Sequence, residues 1–476
     1  MASRSKDKIQ IHFLGQSAQE VTGSMVWVKT PHVEFLIECG LYQSSGDILE
    51  EYKVNNAPFK FKPQNISYVF GCHCHSDHIV RIPLLYKRGM TAPTIMPQGS
   101  APIAKILMED SARIMECDAT KLSQQYGRSY EPIYTQDDVD KCVSMIREYP
   151  FGEYIQLDEY VKFRFIPSGH ILNAAQIEIA VTEGNITKTI GYTSDLGNTH
   201  IRRYYTNAFE PIRKVNLLIG ESTYGGEKRI ASQKTRVKDL EKLRSVIEDT
   251  CMVRRGRVLI PCFANSRSQE ILTHLYDLFG NDRTFRIPVL FDTPMGINVC
   301  SAYSELLSGD ALKKWQGVMS WENIKFITDP NESRAWQNDK SPAVIIASSG
   351  MMTYGRSRAY AKTMLSDSNN VIAFCGFSVD NSLAAIIKSG ESPRIKFGGK
   401  WIANRCRVVD LHSFSSHMQR DSLMDYYSSV DCEKVLLVHG DMEGKIEFAT
   451  DLRQAIYKKD RTSKVVCVTK DYSLTI

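Results

Sequence analysis

What this sequence lacks narrows it first. No apolar run comes near the roughly 20 residues that a helix needs to span a bilayer. The stretch from Met1 to Lys8 is polar and charged and has no apolar core of the signal-peptide kind. There is no low-complexity tract, no internal repeat and no appended RNA-binding module. The twelve cysteines follow no disulfide-scaffold spacing, and the only close pair, Cys72 and Cys74, alternates with histidines. Together these absences predict a reduced, cytoplasmic protein with no membrane partner. An excess of one charge sign is missing too. A net charge of +5 over 476 residues permits a polyanionic substrate but falls short of a dedicated nucleic-acid binder's basic footprint. The small clusters Arg202-Arg203, Arg254-Arg255-Gly256-Arg257 and Lys458-Lys459 read as solvated surface.

What is present is ordinary in bulk and unusual in one place. The composition, 43% hydrophobic and 24% charged, is that of a globular protein. The length exceeds one average core and predicts two domains, or one domain with a large insertion. The unusual place is Gly71-Cys72-His73-Cys74-His75-Ser76-Asp77-His78, directly after an apolar run at 66–70 that reads as a buried strand. Imidazole and carboxylate in such density make a zinc-like ligand set. In an extended segment His73, His75 and Asp77 would share a face, with His78 turned away toward a second metal. A helix is expected next, over 79–88, with Pro83 in its first turns.

The same placement recurs along the chain. Strands are expected at 9–13, 24–28 and 33–37, the third ending at Glu38, whose carboxylate could orient a metal ligand from behind. Helices follow at 101–125, with Ile103, Ile106, Leu107 and Ile114 at helical spacing, and at 136–149. Strands resume at 161–166, 176–181 and 187–192. The first of these leads to Ser168-Gly169-His170 and the last to Ser194-Asp195-Leu196-Gly197, so that strand ends deliver His, His and Asp in turn. Another apolar strand, 215–220, ends at Glu221. Then the pattern alternates: helix 234–253, strand 257–261, helix 266–278, and strands 288–291, 343–347 and 371–375. Such alternation implies a parallel, doubly wound sheet with its ligand side at the strand C-terminal ends. A strand at 406–411 leads into His412-Ser413-Phe414-Ser415-Ser416-His417, and one at 435–438 into His439-Gly440-Asp441. A helix at 445–457 and a strand at 464–469 follow.

In this order the motifs resemble the metallo-β-lactamase superfamily, and within it the β-CASP nucleic-acid hydrolases. The resemblance runs over nearly the whole chain, from Leu14-Gly15 and Glu20-Val21-Thr22-Gly23-Ser24 to Val438-His439-Gly440-Asp441. It includes Ile260-Pro261-Cys262-Phe263-Ala264, Asp292-Thr293-Pro294-Met295 and Ser349-Gly350-Met351 inside the expected insertion. The implied fold is α/β: an αβ-βα sandwich of two mixed sheets, 1–226 and 402–476, interrupted by a β-CASP α/β domain at 227–401, with the active site in the cleft between them. Two zinc ions are implied, with manganese as the alternative metal. By the resemblance His73, His75 and His170 would hold one ion, Asp77, His78 and His439 the other, and Asp195 would bridge. His417, with Glu221 as its anionic partner, and Asp77 would make up the catalytic set, and Ser349 and Gly350 would bind substrate. Two divalent ions about 3.5–4 Å apart can share a hydroxide and stabilise a pentavalent phosphorus. Three departures from the family pattern stand out: Glu38 in place of an aspartate, Val80 in place of a glycine, and Asp380-Asn381-Ser382-Leu383-Ala384 without the glycines usual there.

The function this implies is a metal-dependent ribonuclease that leaves 5′-phosphate ends on single-stranded RNA. In the family a histidine at the position of His439 goes with RNA-processing members, and an apolar residue with DNA-repair members. The alternatives are a DNA nuclease of the same fold and a non-catalytic subunit that binds RNA or a partner; a small-molecule hydrolase would leave the insertion without a role. The oligomeric state is open, a homodimer being one option. His12, His32, His200 and His274 read as structural, and His412 is the one nearby rival to His417.

Overall fold

The computed structural model describes residues 8–43, 47–201, 203–226, 231–376, 378 and 382–476. Arg202, the expected insertion start at Glu227, and Asp380-Asn381 lie outside the described residues. The chain forms two compact units: Met1–Thr199, Thr206–Arg229 and Ser416–Ile476 make the first, His200–Tyr205 and Ile230–Ser415 the second.

Two seven-stranded mixed sheets build the first unit. One runs, edge to edge, through Ser473–Thr475, Gln10–Phe13, Val26–Lys29, Glu34–Ile37, Tyr68–Phe70, Thr94–Pro97 and Ile146–Tyr149. The other runs through Lys464–Cys467, Lys434–Val438, Leu217–Glu221, Ile186–Tyr192, Ala175–Glu183, Val161–Pro167 and Ile155–Gln156. Period-two alternation makes the layers. Val161, Phe163 and Phe165 enter a core shared with Phe13, Val28, Phe35 and Phe70, while Lys162 between them is exposed. Each such fully buried apolar side chain contributes roughly 1.5–3 kcal/mol. On the strands Leu217–Glu221 and Lys434–Val438 both faces are apolar. Leu217 and Leu436 join that core, whereas Leu218, Val435 and Leu437 pack against Leu423, Tyr427, Phe448 and Leu452 of the helices Arg420–Ser429 and Met442–Lys458. The helix Gln136–Ser144 packs on both Ile82–Lys87 and Ala101–Tyr126.

In the second unit six parallel strands form one sheet, in the order Ile324–Phe326, Val289–Asp292, Val344–Ala347, Val258–Pro261, Val371–Phe374, Arg407–Asp410. The edge strand Arg407–Asp410 thus lies beyond Trp401 in sequence and pairs with Val371–Phe374. This unit buries an ionic cluster in which Glu270 meets Arg203, Arg236 and Arg267. Arg203 is therefore not solvated surface, and neither is Arg257, which is buried and donates to the Asp339 carbonyl.

Four local expectations change. Residues 136–149 are not one helix: the helix stops at Ser144, and Ile146–Tyr149 pairs in parallel with Thr94–Pro97. The helix at 234–253 is α-helical only over Gln233–Ile247 and ends in a π-helical turn, Glu248–Val253. Residues 79–88 fall into two short helices, Ser76–Ile79 and Ile82–Lys87, with Pro83 in the first turn of the second, where its missing N–H costs nothing. Ile114 is 52% exposed and not core, because Ala112 and Met115 carry the buried face of its helix.

Candidate metal centre

Strand ends of the first unit turn abruptly, and each turn aims a polar side chain. Within two residues of their strands, Glu38, Gly169, Ser194 and His439 have φ of 62°, 74°, 49° and 51°. Three of these are not glycine, in a region that L-residues avoid. Two glycines let neighbouring loops touch through their backbones. A Cβ on Gly40 would lie 1.6 Å from the Asp77 carbonyl oxygen, and one on Gly197 2.0 Å from that of Gly169.

His73 and His75 follow the strand Tyr68–Phe70 in extended chain, and the chain then enters the helix Ser76–Ile79. This turn corrects the expectation of a shared face: Asp77 stands beside His78 at the start of a helix, not in line with His73 and His75. The side chains gather as His73, His75, His170 and Asp195 in one group and Asp77, His78 and His439 in another. Asp195 faces both. Its Oδ2 lies 3.5 Å from His73 Nε2 and 3.4 Å from His170 Nε2. Its Oδ1 lies 3.4 Å from His78 Nε2 and 3.4 Å from His439 Nδ1.

The donor set fits divalent cations. His75 Nδ1 is 3.1 Å from His73 Nε2 and 3.4 Å from His170 Nε2, so imidazole nitrogens converge on one point. A single proton cannot satisfy three such nitrogens; a tetrahedral cation can. His78 Nε2 and Asp195 Oδ1 are buried without a hydrogen-bond partner among the described residues, which is costly unless something binds them. Burial lowers the pKa of His73 and His170 and brings His75 down to about 3, leaving neutral imidazoles with lone pairs to give. In the other group burial also opposes charge, but the carboxylates outweigh it. Glu38, Asp195 and Asp77 hold His78 well above its usual range, and Asp195 and Asp77 raise His439. Burial pushes Asp195 up, yet His439, His78 and His417 hold its carboxyl well below the usual range.

His417 stands at the edge of this cluster. Its side chain is 18% exposed, with Nδ1 3.4 Å from Glu221 Oε1 and Nε2 3.9 Å from Asp195 Oδ2. Glu221 is buried at the end of Leu217–Glu221 and accepts from two backbone donors, Leu196 N–H at 2.9 Å and Thr223 N–H at 3.0 Å. Asp195, Glu221 and His417 also lie close enough to form a third ligand set. The rival His412 belongs to the second unit, is largely exposed, and sits 3.4 Å from Asp410. His12 stacks on Trp27, His32 meets Glu183 and His274 meets Arg236, and none of them is a member of the groups around Asp195. Ser349 and Gly350 follow the strand Val344–Ala347 of the second unit; a Cβ on Gly350 would meet the Phe263 ring at 3.4 Å, and Ser349 Oγ donates to the Tyr354 carbonyl at 3.5 Å.

Three residues without a role in the sequence reading contact these side chains. Thr223 Oγ1 is 3.0 Å from His439 Nδ1, Ser194 Oγ is 3.0 Å from His73 Nδ1, and Tyr192 O–H donates to Glu38. Ser194 and Thr223 lie next to or within two residues of Asp195 and Glu221, and that adjacency was the only signal available.

Two family models match the chain: the Beta-Casp domain over residues 268–387, and the Zn-dependent metallo-hydrolase RNA specificity domain over residues 401–463. The chain is 29% identical over 433 residues to Ribonuclease TTHA0252 of Thermus thermophilus, covering 90% of this chain and 92% of that one. It is also 29% identical over 463 residues to the transcription termination factor FttA of Methanocaldococcus jannaschii, covering 95% of this chain and 70% of the relative. A crystal structure of a protein of unknown function from Enterococcus faecalis superposes with a TM-score of 0.53 at 9% identity, over 98% of this chain and all of that one, a likeness of fold alone. The mixed-sheet sandwich with its inserted α/β unit defines a metallo-β-lactamase fold. Within that fold the chain carries the Beta-Casp domain and the RNA specificity domain that these models describe, and it is similar over most of its length to a ribonuclease and to a transcription termination factor. No helix among the described residues is long and apolar enough to cross a membrane.

Proposed function

We propose that this chain is a zinc-dependent ribonuclease that hydrolyses phosphodiester bonds of single-stranded RNA and leaves 5′-phosphate and 3′-hydroxyl ends. One observation carries the reading: Asp195 presents one carboxylate oxygen to His73 and His170 and the other to His78 and His439. A carboxylate so placed would serve both cations. His73, His75 and His170 would hold one cation and Asp77, His78 and His439 the other, with manganese as the alternative to zinc. Two such cations, when bound, stabilise charge on a phosphoryl oxygen and lower the pKa of water at the site. A relative that is named a ribonuclease over nearly its whole length, and a matched domain described by RNA specificity, favour RNA as the substrate.

The chain's own residues supply the proton. A water oxygen bonds to phosphorus, giving up a proton to solvent, as the P–O3′ bond breaks, and the leaving 3′-oxygen takes up a proton. Glu221 is held by two backbone N–H groups and so stays aimed at His417 Nδ1. His417 Nδ1–H then donates to that carboxylate, and Nε2 carries the proton that passes to the leaving oxygen. Asp77, with Oδ2 3.3 Å from His439 Nε2 and 20% of its side chain exposed, faces the reacting side as well as its histidines. Ser349 and Gly350 are proposed substrate contacts. A non-catalytic subunit is disfavoured, since no ligand-type side chain of the cluster is replaced or turned away. Zinc content should approach two equivalents per chain, and products should carry 5′-phosphate ends; 2′,3′-cyclic phosphate products would contradict direct hydrolysis.

A further inference from the structure

Glu38 is fully buried and left-handed, and its carboxylate is crowded with partners. Oε2 lies 2.7 Å from His78 Nδ1 and accepts from Tyr192 O–H. Oε1 accepts from Ser194 Oγ at 2.6 Å. His73 Nδ1 is 3.8 Å from Oε1, too far for a hydrogen bond, but 3.0 Å from Ser194 Oγ. The proton order follows. A carboxylate only accepts, so the serine hydroxyl spends its one hydrogen on Glu38. The serine oxygen must then accept from His73 Nδ1–H, which leaves His73 Nε2 with its lone pair among His75, His170 and Asp195. On the other side His78 Nδ1–H donates directly to Glu38, and its Nε2 faces Asp77 and Asp195. Ser194 keeps this place at φ 49°, where glycine would sit without strain.

We propose that Ser194 is a positioning residue that extends the reach of Glu38 to His73, so that one buried carboxylate orients one imidazole in each half of the metal centre. Ser194 then governs the His73–His75–His170 half alone, and Glu38 governs both halves. This rests on the reading of these histidines as metal ligands. A hydrogen-bonded partner behind a ligating histidine sets its tautomer and ring direction, and its loss typically costs about 10–100-fold in metal affinity.

The test is zinc titration of the full-length, metal-free protein, with cobalt absorption as the spectroscopic check. Ser194→Gly should still fold, since relief of strain at φ 49° offsets part of the lost hydrogen bonding, yet bind one equivalent about 10–100-fold more weakly. Two backgrounds assign that equivalent. With His439→Ala, which leaves the His73 half, Ser194→Gly should weaken binding and change the cobalt spectrum. With His75→Ala, which leaves the other half, it should change neither. Glu38→Gln should weaken both equivalents. Should Ser194→Gly lose its fold, Ser194→Ala removes the same hydroxyl without freeing the backbone. Parental affinity for both equivalents in Ser194→Gly, or equal weakening of both, overturns the proposal. A parent protein that binds no second equivalent overturns the metal-centre reading along with it.

Discussion

At the scale of single residues, the proposed mechanism assigns the holding of charge to the grouped histidines and aspartates and the moving of a proton to His417. His417 contacts Glu221 and lies 3.9 Å from Asp195 Oδ2, at the rim of the ligand cluster. If it moves the proton, His417→Ala should keep the fold and two zinc equivalents and lose about 10²–10⁴ in turnover. Loss of a metal equivalent in that variant would mark it as a ligand. Asp195→Ala should lower zinc content more than any other single change, since both of its oxygens face histidines. The metal-free protein should also show a two-sided pH dependence of stability. His73, His75 and His170 have pKa values depressed by burial, so their contribution is present above 6.5 and lost as pH falls below it. His78 and His439 are raised, so theirs is complete below 6.5 and lost as pH rises through their folded values. Thermal midpoints of chelated protein should therefore peak near pH 6.5, and zinc should restore the alkaline side; a midpoint that climbs steadily with pH would contradict this. At this scale much was legible. The dense run from His73 to His78 and the strand-end placement of His170, Asp195 and His439 marked these side chains as candidates, and the structure brings them together; their division between two metals came from the resemblance. Ser194 and Thr223 could not, because a hydroxyl next to a motif carries no pattern of its own.

At the scale of elements, the centre depends on how closely strand ends approach. Gly40 lets one loop rest on the Asp77–His78 backbone, and Gly197 lets another rest on Gly169–His170. Gly40→Ala and Gly197→Ala each force backbone apart and should cost on the order of 1–3 kcal/mol, read as a lower thermal midpoint with reduced zinc affinity. An alanine variant with parental stability and zinc content would show that the loops can yield. Elements were legible where one face alternates or a long helix repeats, as in Val161–Pro167 and Ala101–Tyr126. They were not where a local pattern met a distant partner. Val139, Cys142 and Ile146 have helical spacing, yet Ile146 leaves the helix because its segment completes the sheet edge beside Thr94–Pro97. Likewise the run Ser76–Ile79 reads equally well as strand or helix start, and only the backbone shows that the extended chain ends at His75 and a helix begins.

At the scale of the whole molecule, two units have separate cores. The sandwich carries all of the proposed ligands together with His417 and Glu221, and the parallel-sheet unit carries Ser349 and Gly350. That division was legible from length and from the change of pattern after Glu221. The membership of Arg407–Asp410 was not, because a four-residue strand shows its sheet only through its partner, Val371–Phe374. Substrate class is the least local property of all, and it rests on the site together with the relatives. The most direct test of the central claim is cleavage of end-labelled single-stranded RNA and DNA of the same sequence by purified protein, with chelator, without it, and with zinc restored. The expected result is RNA cleavage to 5′-phosphate products, abolished by chelator and regained with zinc, with DNA cut far more slowly. RNA cleavage that survives complete metal removal, or DNA cut in preference to RNA, would contradict the account.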